Sequence, residues 1–207
     1  MQVMGTMADK DHMRRHLMAA REARSACDAV ALEQVLKHIS GLPCMTSATV
    51  LAAYMATPGE VDVSALFGPW CVRGGTVWLP RYEADTACYR MVAVVDFKRD
   101  LVLGHHGITE PARECRAVDD ARRRGADVLW LVPGVGFDAQ GHRIGRGKGY
   151  YDRMLAGTAG VRVGVAWDWQ FMADVPVTAT DVSMHWLVTE THTIACGGQN
   201  SPRTPLT

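Results

Sequence analysis

The sequence lacks most of the features that disclose a function quickly. It has no excess of either charge, with 22 Lys plus Arg against 22 Asp plus Glu in 207 residues, so no global field draws it to nucleic acid or to an anionic membrane. Any anion site must therefore be local. It has no run of about 18 apolar residues, the length a bilayer crossing needs. Its amino terminus carries Asp9, Lys10 and Asp11 where a signal peptide would place an apolar stretch, and a cytoplasmic location is the expectation. The six cysteines, at 27, 44, 71, 88, 115 and 196, form no Cys-x-x-Cys pair and no cluster with histidine at zinc-ligand spacing. Reduced structural thiols are expected. The adjacent pair His105 and His106 would point to opposite faces of a strand and could not jointly grip one ion. No internal repeat is present.

What remains is the pattern of a soluble α/β protein, with 48% hydrophobic and 21% charged residues. Residues 9 to 24 place Met13, Leu17 and Ala20 on one helical face and Lys10, Arg14 and Arg21 on a neighbouring one. Ser25 and Asp28 resemble a capping box before a second helix, whose Leu32, Val35, Leu36 and Ile39 form an apolar stripe that Gly41 and Pro43 end. Residues 48 to 54, 76 to 79, 88 to 95, 126 to 132, 161 to 166 and 186 to 189 read as strands, with short helices over 60 to 66, 119 to 124 and 150 to 156. Residues 96 to 118 read as loop. The alternation predicts a single three-layer α/β domain over residues 8 to 192, with a largely parallel (mixed) sheet flanked by helices. In such folds ligands gather beyond the carboxyl ends of strands, where Glu60 and the segment after residue 132 both fall. Residues 1 to 7 and 197 to 207 have too little apolar content to pack and are expected to be mobile.

The most informative segment runs from Pro133 to Arg153, directly after the most apolar strand. Gly145, Gly147 and Gly149 alternate there with Arg146 and Lys148, so the backbone can approach an anion while cationic side chains surround it. It is not a Walker A loop, because Gly147-Lys148 is followed by Gly149 and the first glycine's position holds His142. Nor is it a dinucleotide fingerprint, which needs Gly-x-Gly-x-x-Gly. Arg143, Arg146 and Lys148 could neutralise phosphoryl oxygens, with Asp152 as a carboxylate for accompanying magnesium. A solvated surface turn is the competing reading, since such residue types are common in turns.

Phe137-Asp138, Gly141-x-Arg143 and Gly145-x-Gly147-x-Gly149-Tyr150-Tyr151-Asp152-Arg153 together resemble the signature of the 5-formyltetrahydrofolate cyclo-ligases, also called methenyltetrahydrofolate synthetases. Further matches follow in the family's order: Lys10-x-x-x-Arg14, Tyr54 to Asp62 with Glu60, Val77-x-Leu-Pro80, Gly107-Ile-x-Glu-Pro111, Gln170, and Pro176 followed by Asp181-Val182. The sequence departs from the pattern at Thr178-Ala-Thr180, where many members carry a histidine beside the aspartate, and at His185, which replaces a commonly acidic residue.

The resemblance implies an ATP-dependent closure of 5-formyltetrahydrofolate to 5,10-methenyltetrahydrofolate in a cytoplasmic monomer that needs neither nucleic acid nor membrane. It implies an ATP site at Lys10, Arg14, Arg143, Gly145, Arg146, Gly147, Lys148, Gly149, Tyr150 and Tyr151, with Arg146 and Lys148 catalytic. It places the folate against Met55, Glu60, Arg146, Gly147, Lys148, Gly149 and Tyr150, and Mg2+ on Asp152 and Asp181. Glu60 suits a pterin edge, because one carboxylate accepts a parallel pair of N–H donors. The competing reading of Lys10 and Arg14 is a solvated basic face shared with Arg15 and Arg21. Two other classes stay open, a folate-binding relative without turnover and a nucleotide- or RNA-binding module.

Overall fold

The structure, a computed structural model, describes residues 7–24 and 28–197. The chain runs through helix α1 (Met7–Ala23), α2 (Ala29–Ser40) and α3 (Cys44–Ser47) into strand β1 (Val50–Ala52). Helix α4 (Phe67–Val72) leads to β2 (Thr76–Glu83), β3 (Cys88–Val94), β4 (Leu101–Leu103) and β5 (Thr109–Pro111). After α5 (Asp120–Arg123) come β6 (Val128–Pro133), β7 (Gly136–Asp138), β8 (Arg143–Ile144) and α6 (Tyr150–Leu155). The chain then forms β9 (Val161–Val165), β10 (Phe171–Met172), β11 (Trp186–Val188) and β12 (Thr193–Ala195).

Seven strands form one sheet in the order β12-β11-β9-β6-β1-β2-β3. The pairs β11·β9, β9·β6, β6·β1 and β1·β2 are parallel, and the two edge pairs β12·β11 and β2·β3 are antiparallel. Both β1 and β6 are buried along their whole length, as strands covered on both faces must be, and their sequences are accordingly unbroken apolar runs. Their side chains still alternate between two cores. Leu51, Leu129 and Leu131 pack with Val35 and Ile39 of α2 and with Phe67 and Trp70 of α4. Val50, Ala52, Val128, Trp130 and Val132 pack with Met154 and Leu155 of α6. The predicted three-layer α/β architecture with a largely parallel, mixed sheet is the one observed.

Helix α1 stands apart from both cores. Its Leu17 packs with Val135, Ile144 and Val175 in a separate cluster, so α1 covers the segment after β6 instead of a face of the main sheet. Asp28 caps α2 by accepting the Val30 N–H at 2.9 Å; the second expected capping residue, Ser25, lies outside the described residues, as do the expected mobile termini except residues 7 and 197.

Three local expectations differ from the structure. The short helix over 60 to 66 is instead a single 3-10 turn, Ser64–Leu66, preceded by a turn in which Asp62 accepts the Ser64 N–H at 2.9 Å. The segment 96 to 118 holds the β4–β5 hairpin, whose flanks are fastened by Arg81, donating to Ala112 O and Cys115 O at 2.7 Å each, and by Asp100, accepting from Asp96 N at 2.9 Å. The glycine-rich segment is not wholly loop, since β7 and β8 pair with each other and β7 pairs with β10. The five described cysteines, 44, 71, 88, 115 and 196, are free thiols; Cys27 lies outside the described residues. No described helix is long and apolar enough to cross a membrane.

His185 precedes β11 and faces Arg162 of β9. Its Nδ1 accepts the Arg162 backbone N–H at 3.0 Å, and its Nε2 lies 3.0 Å from the Arg162 guanidinium. Burial, and then the charge of Arg162, lower the imidazole from its ordinary 6.5 to about 4. The unfolded chain therefore takes up this proton first on acidification, so stability present above about pH 6.5 is lost as pH falls towards 4. Thermal midpoints at pH 7 and pH 5 should differ less in His185→Gln than in the wild type; an unchanged difference would remove His185 from the acid response.

Candidate active site

Every residue that the sequence reading assigned to ATP, folate or magnesium lines one cavity of about 460 Å³. The cavity lies beyond the carboxyl ends of β1 and β6, where Tyr54 and Met55 follow the first strand and Pro133 and Gly134 close the second. Helix α1 supplies Lys10 and Arg14, one turn apart. The turn after β1 supplies Met55 and Glu60, and β8 supplies Arg143. An arch from Gly145 to Gly149 leads into Tyr150, Tyr151 and Asp152 of α6, and Asp181 reaches in from the segment before β11. The lining divides chemically, with cationic groups around the arch and apolar groups such as Met55, Pro80, Ile108 and Tyr89 elsewhere.

The arch is held from both sides. Arg14 donates through Nε to Gly145 O at 2.7 Å, and Gly147, at φ +89°, presents its bare flank to the Arg14 guanidinium, where a β-carbon would come within 3.2 Å. A side chain there would meet both backbone strain and this contact. Arg153 donates to Lys148 O at 3.0 Å and lies over the Tyr150 ring, which also makes an edge contact with Tyr89 at 4.9 Å between centroids. Tyr151 packs inward with its ring 5.5 Å from the Arg143 guanidinium. Burial, with the Glu60 carboxylate adding to it, pushes the Tyr151 hydroxyl well above its ordinary value, so it stays a neutral donor.

The charges of the site are largely paired with one another. Lys10, itself 5% exposed, forms an ion pair with Asp181. Burial works against ionisation of Asp181, but Lys10 and the Thr178 N–H, at 2.6 Å, hold its carboxyl below the usual range. Arg143 pairs with Asp152 at 2.9 Å. Arg146, expected to face phosphate, has its Nη2 3.3 Å from Glu60 Oε1 and so bridges the arch to the expected folate anchor. Among the described residues Lys148 makes no ion pair, and its exposed ammonium is free to meet an anion. Arg15 is exposed, but Arg21 is 6% exposed and pairs with Glu60 at 3.2 Å, so the basic face of α1 is not uniformly solvated.

Two residues brace the loop without entering the cavity. Asp138, wholly buried, accepts at Oδ1 from Gln140 N and His142 N, and at Oδ2 from His142 Nδ1 and Val175 N, each between 2.9 and 3.0 Å. Asp138, His142 and Asp174 also form the one described trio close enough to hold a metal, but four donors already saturate the Asp138 carboxylate. Gln170, 2% exposed, donates to Gly134 O at 2.8 Å and accepts from Trp167 N at 2.9 Å. Sequence reasoning noted both inside motifs but gave them no task. It missed Thr57, Tyr89 and Glu110 in the lining. Only the helical register of Arg21 with Arg14 signalled its place near the site, because hairpin and turn contacts leave no periodic trace.

Comparison with known proteins finds relatives across nearly the whole chain. A family model described as the 5-formyltetrahydrofolate cyclo-ligase family matches residues 6–190. The 5-formyltetrahydrofolate cyclo-ligase of Mycolicibacterium smegmatis is 31% identical over 188 residues, covering 87% of this chain and 93% of that protein. The enzyme of the same name from Escherichia coli (strain K12) is 29% identical over 160 residues, covering 76% and 86%. The NMR structure of Aquifex aeolicus 5,10-methenyltetrahydrofolate synthetase superposes with a TM-score of 0.74 at 31% identity, covering 94% of this chain and 96% of that one.

Removing the Asp138 carboxylate would leave buried N–H groups without acceptors, each costing about 1–3 kcal/mol. Asp138→Ala should therefore lower unfolding free energy by about 3 kcal/mol or more, read from the urea midpoint at unchanged slope; a loss under about 1 kcal/mol would contradict the bracing role.

Proposed function

Because the chain belongs to the 5-formyltetrahydrofolate cyclo-ligase family, we propose that it uses ATP to close 5-formyltetrahydrofolate to 5,10-methenyltetrahydrofolate, releasing ADP and phosphate. The observation that carries this reading is the single cavity in which a cationic glycine arch and the Glu60 carboxylate face a common space. A formyl oxygen on nitrogen is a poor leaving group. Its attack on the γ-phosphorus breaks the bond to ADP and converts that oxygen into a phosphate ester. The substrate's own N10 then adds to the activated carbon, loses its proton, and expels phosphate carrying the former formyl oxygen. The protein's task is to align the oxygen with the phosphorus and to balance charge on the transferring group.

Lys148 and Arg146 are the groups we assign to that charge, with Lys10, Arg14 and Arg143 along the polyphosphate and the arch amides as further donors. Tyr150 offers a ring to a planar ligand, and Met55 and the apolar lining receive the pterin, whose donor edge meets Glu60. Magnesium fits the remaining donors: among the described residues Asp152 Oδ2 and Asp181 Oδ1 accept no hydrogen bond, and Mg2+ takes one or two carboxylates beside phosphate oxygens and waters. Bound there by Asp152 and Asp181, it would neutralise phosphoryl charge. The balanced charge permits a monomer as the working unit and supports small-molecule substrates without nucleic acid.

Mixing the protein with ATP, Mg2+ and 5-formyltetrahydrofolate should generate the methenyl chromophore in the near ultraviolet, and the absence of any increase would overturn the reading. Lys148→Ala should raise the KM for ATP about tenfold or more and leave that for the folate nearly unchanged, whereas Glu60→Ala should do the reverse. Equal losses for both substrates in either variant would contradict the division of roles.

A further inference from the structure

Arg21 belongs to α1 but works on the turn that carries Glu60. It is 6% exposed, its Nη2 lies 3.2 Å from Glu60 Oε1 and donates to Thr57 Oγ1 at 2.7 Å, and its Nε donates to Pro58 O at 2.8 Å. Gly59, at φ +79°, completes the fit, since a β-carbon there would fall 2.6 Å from Arg21 Cγ. The guanidinium therefore lies against the turn from Thr57 to Glu60, with its stem packed on Gly59. Its third nitrogen, Nη1, is buried with no hydrogen-bond partner. A buried donor without an acceptor is costly, so donor satisfaction alone does not account for its position.

The Glu60 side chain is 11% exposed, and a carboxylate so little hydrated needs a counter-ion. Two guanidiniums stand on Oε1. Arg146 is 47% exposed on the glycine arch, where phosphate would draw it away, whereas Arg21 is enclosed and cannot leave. The fixed charge is therefore Arg21. Thr57 N–H meanwhile donates to Glu60 Oε2 at 2.9 Å. With Arg146 drawn to phosphate, one partner remains on each oxygen, Arg21 on Oε1 and Thr57 N–H on Oε2, so the plane of the carboxylate stays set and each oxygen has a second lone pair for a ligand's paired N–H groups.

We propose that Arg21 is a positioning residue for folate recognition, holding Glu60 and its turn in the orientation that meets the pterin edge. This rests on the reading of Glu60 as the folate anchor. Steady-state kinetics of Arg21→Gln, Arg21→Lys, Glu60→Gln and the double variant Arg21→Gln/Glu60→Gln test it, alongside thermal melts of each. Arg21→Gln should raise the folate KM about tenfold or more while the ATP KM stays within about twofold. Arg21→Lys, which keeps the charge and the aliphatic stem but not the planar fork, should lie between it and the wild type. It is the variant to read should the glutamine form fail to fold. The double variant should bind folate no worse than Glu60→Gln alone. A wild-type folate KM in Arg21→Lys, equal rises in both KM values, or additive losses in the double variant would overturn the proposal while leaving Glu60 as the anchor. An unchanged folate KM in Glu60→Gln would instead overturn the anchor reading and the role of Arg21 with it.

Discussion

Leu17 rests on Gly136 so closely that a β-carbon there would fall 2.7 Å from its Cδ1, and this contact between α1 and the segment after β6 sets the shape of the cavity. The helix has no other apolar seat: its buried leucine joins Val135, Ile144 and Val175 and none of the sheet's own core. Burying one such side chain stabilises by about 1.5–3 kcal/mol. From that seat the polar groups of α1 reach three separate segments, with Arg21 on the turn after β1, Arg14 on the arch and Lys10 on Asp181. Three segments, two of them also bridged by Arg146, are thus registered by one rigid rod.

The ion pairs around the cavity follow from the same crowding. Lys10 with Asp181, Arg143 with Asp152, and Arg146 and Arg21 with Glu60 leave little unbalanced charge among half-buried groups. Isolated buried charges would be expensive, and pairing them internally reduces that cost before any ligand arrives. An incoming phosphate or cation therefore exchanges partners with groups already in place. The exposed Lys148 is the exception, with no ion pair among the described residues.

The sheet was legible because β1 and β6 are buried on both faces, which demands the unbroken apolar runs seen in their sequences, and α2 was legible from the period of Val35 and Ile39. The glycine arch was legible for a different reason, as a spacing of glycine and cation suited to an anion, whereas Lys10, Arg14, Met55, Glu60 and Asp181 were legible only through the resemblance to the cyclo-ligase family. What stayed hidden is non-local. The β4–β5 hairpin depends on Arg81 of β2 reaching to Ala112 O and Cys115 O, and nothing in the residues beside Arg81 marks that task. Arg21 looked like its solvated neighbour Arg15 because burial of a charge is decided by the turn it meets, which lies far along the chain. The helix expected at Glu60 starts later because Glu60 and Asp62 turn back on the backbone, Glu60 accepting from Thr57 N and Asp62 from Ser64 N.

The hydrogen bond from Arg14 to Gly145 joins residues 131 positions apart, and the pair of Lys10 with Asp181 spans 171. Helix α1 is the first described element to leave the ribosome, yet its resting place does not exist until most of the remaining chain has followed. Contacts of such separation carry the loop-closure entropy of nearly the whole domain. The central sheet can consolidate as its strands emerge, while α1 waits with Leu17 uncovered. During synthesis, then, the cavity cannot close until residue 181 has emerged, just ahead of β11 and β12, the last two strands of the sheet.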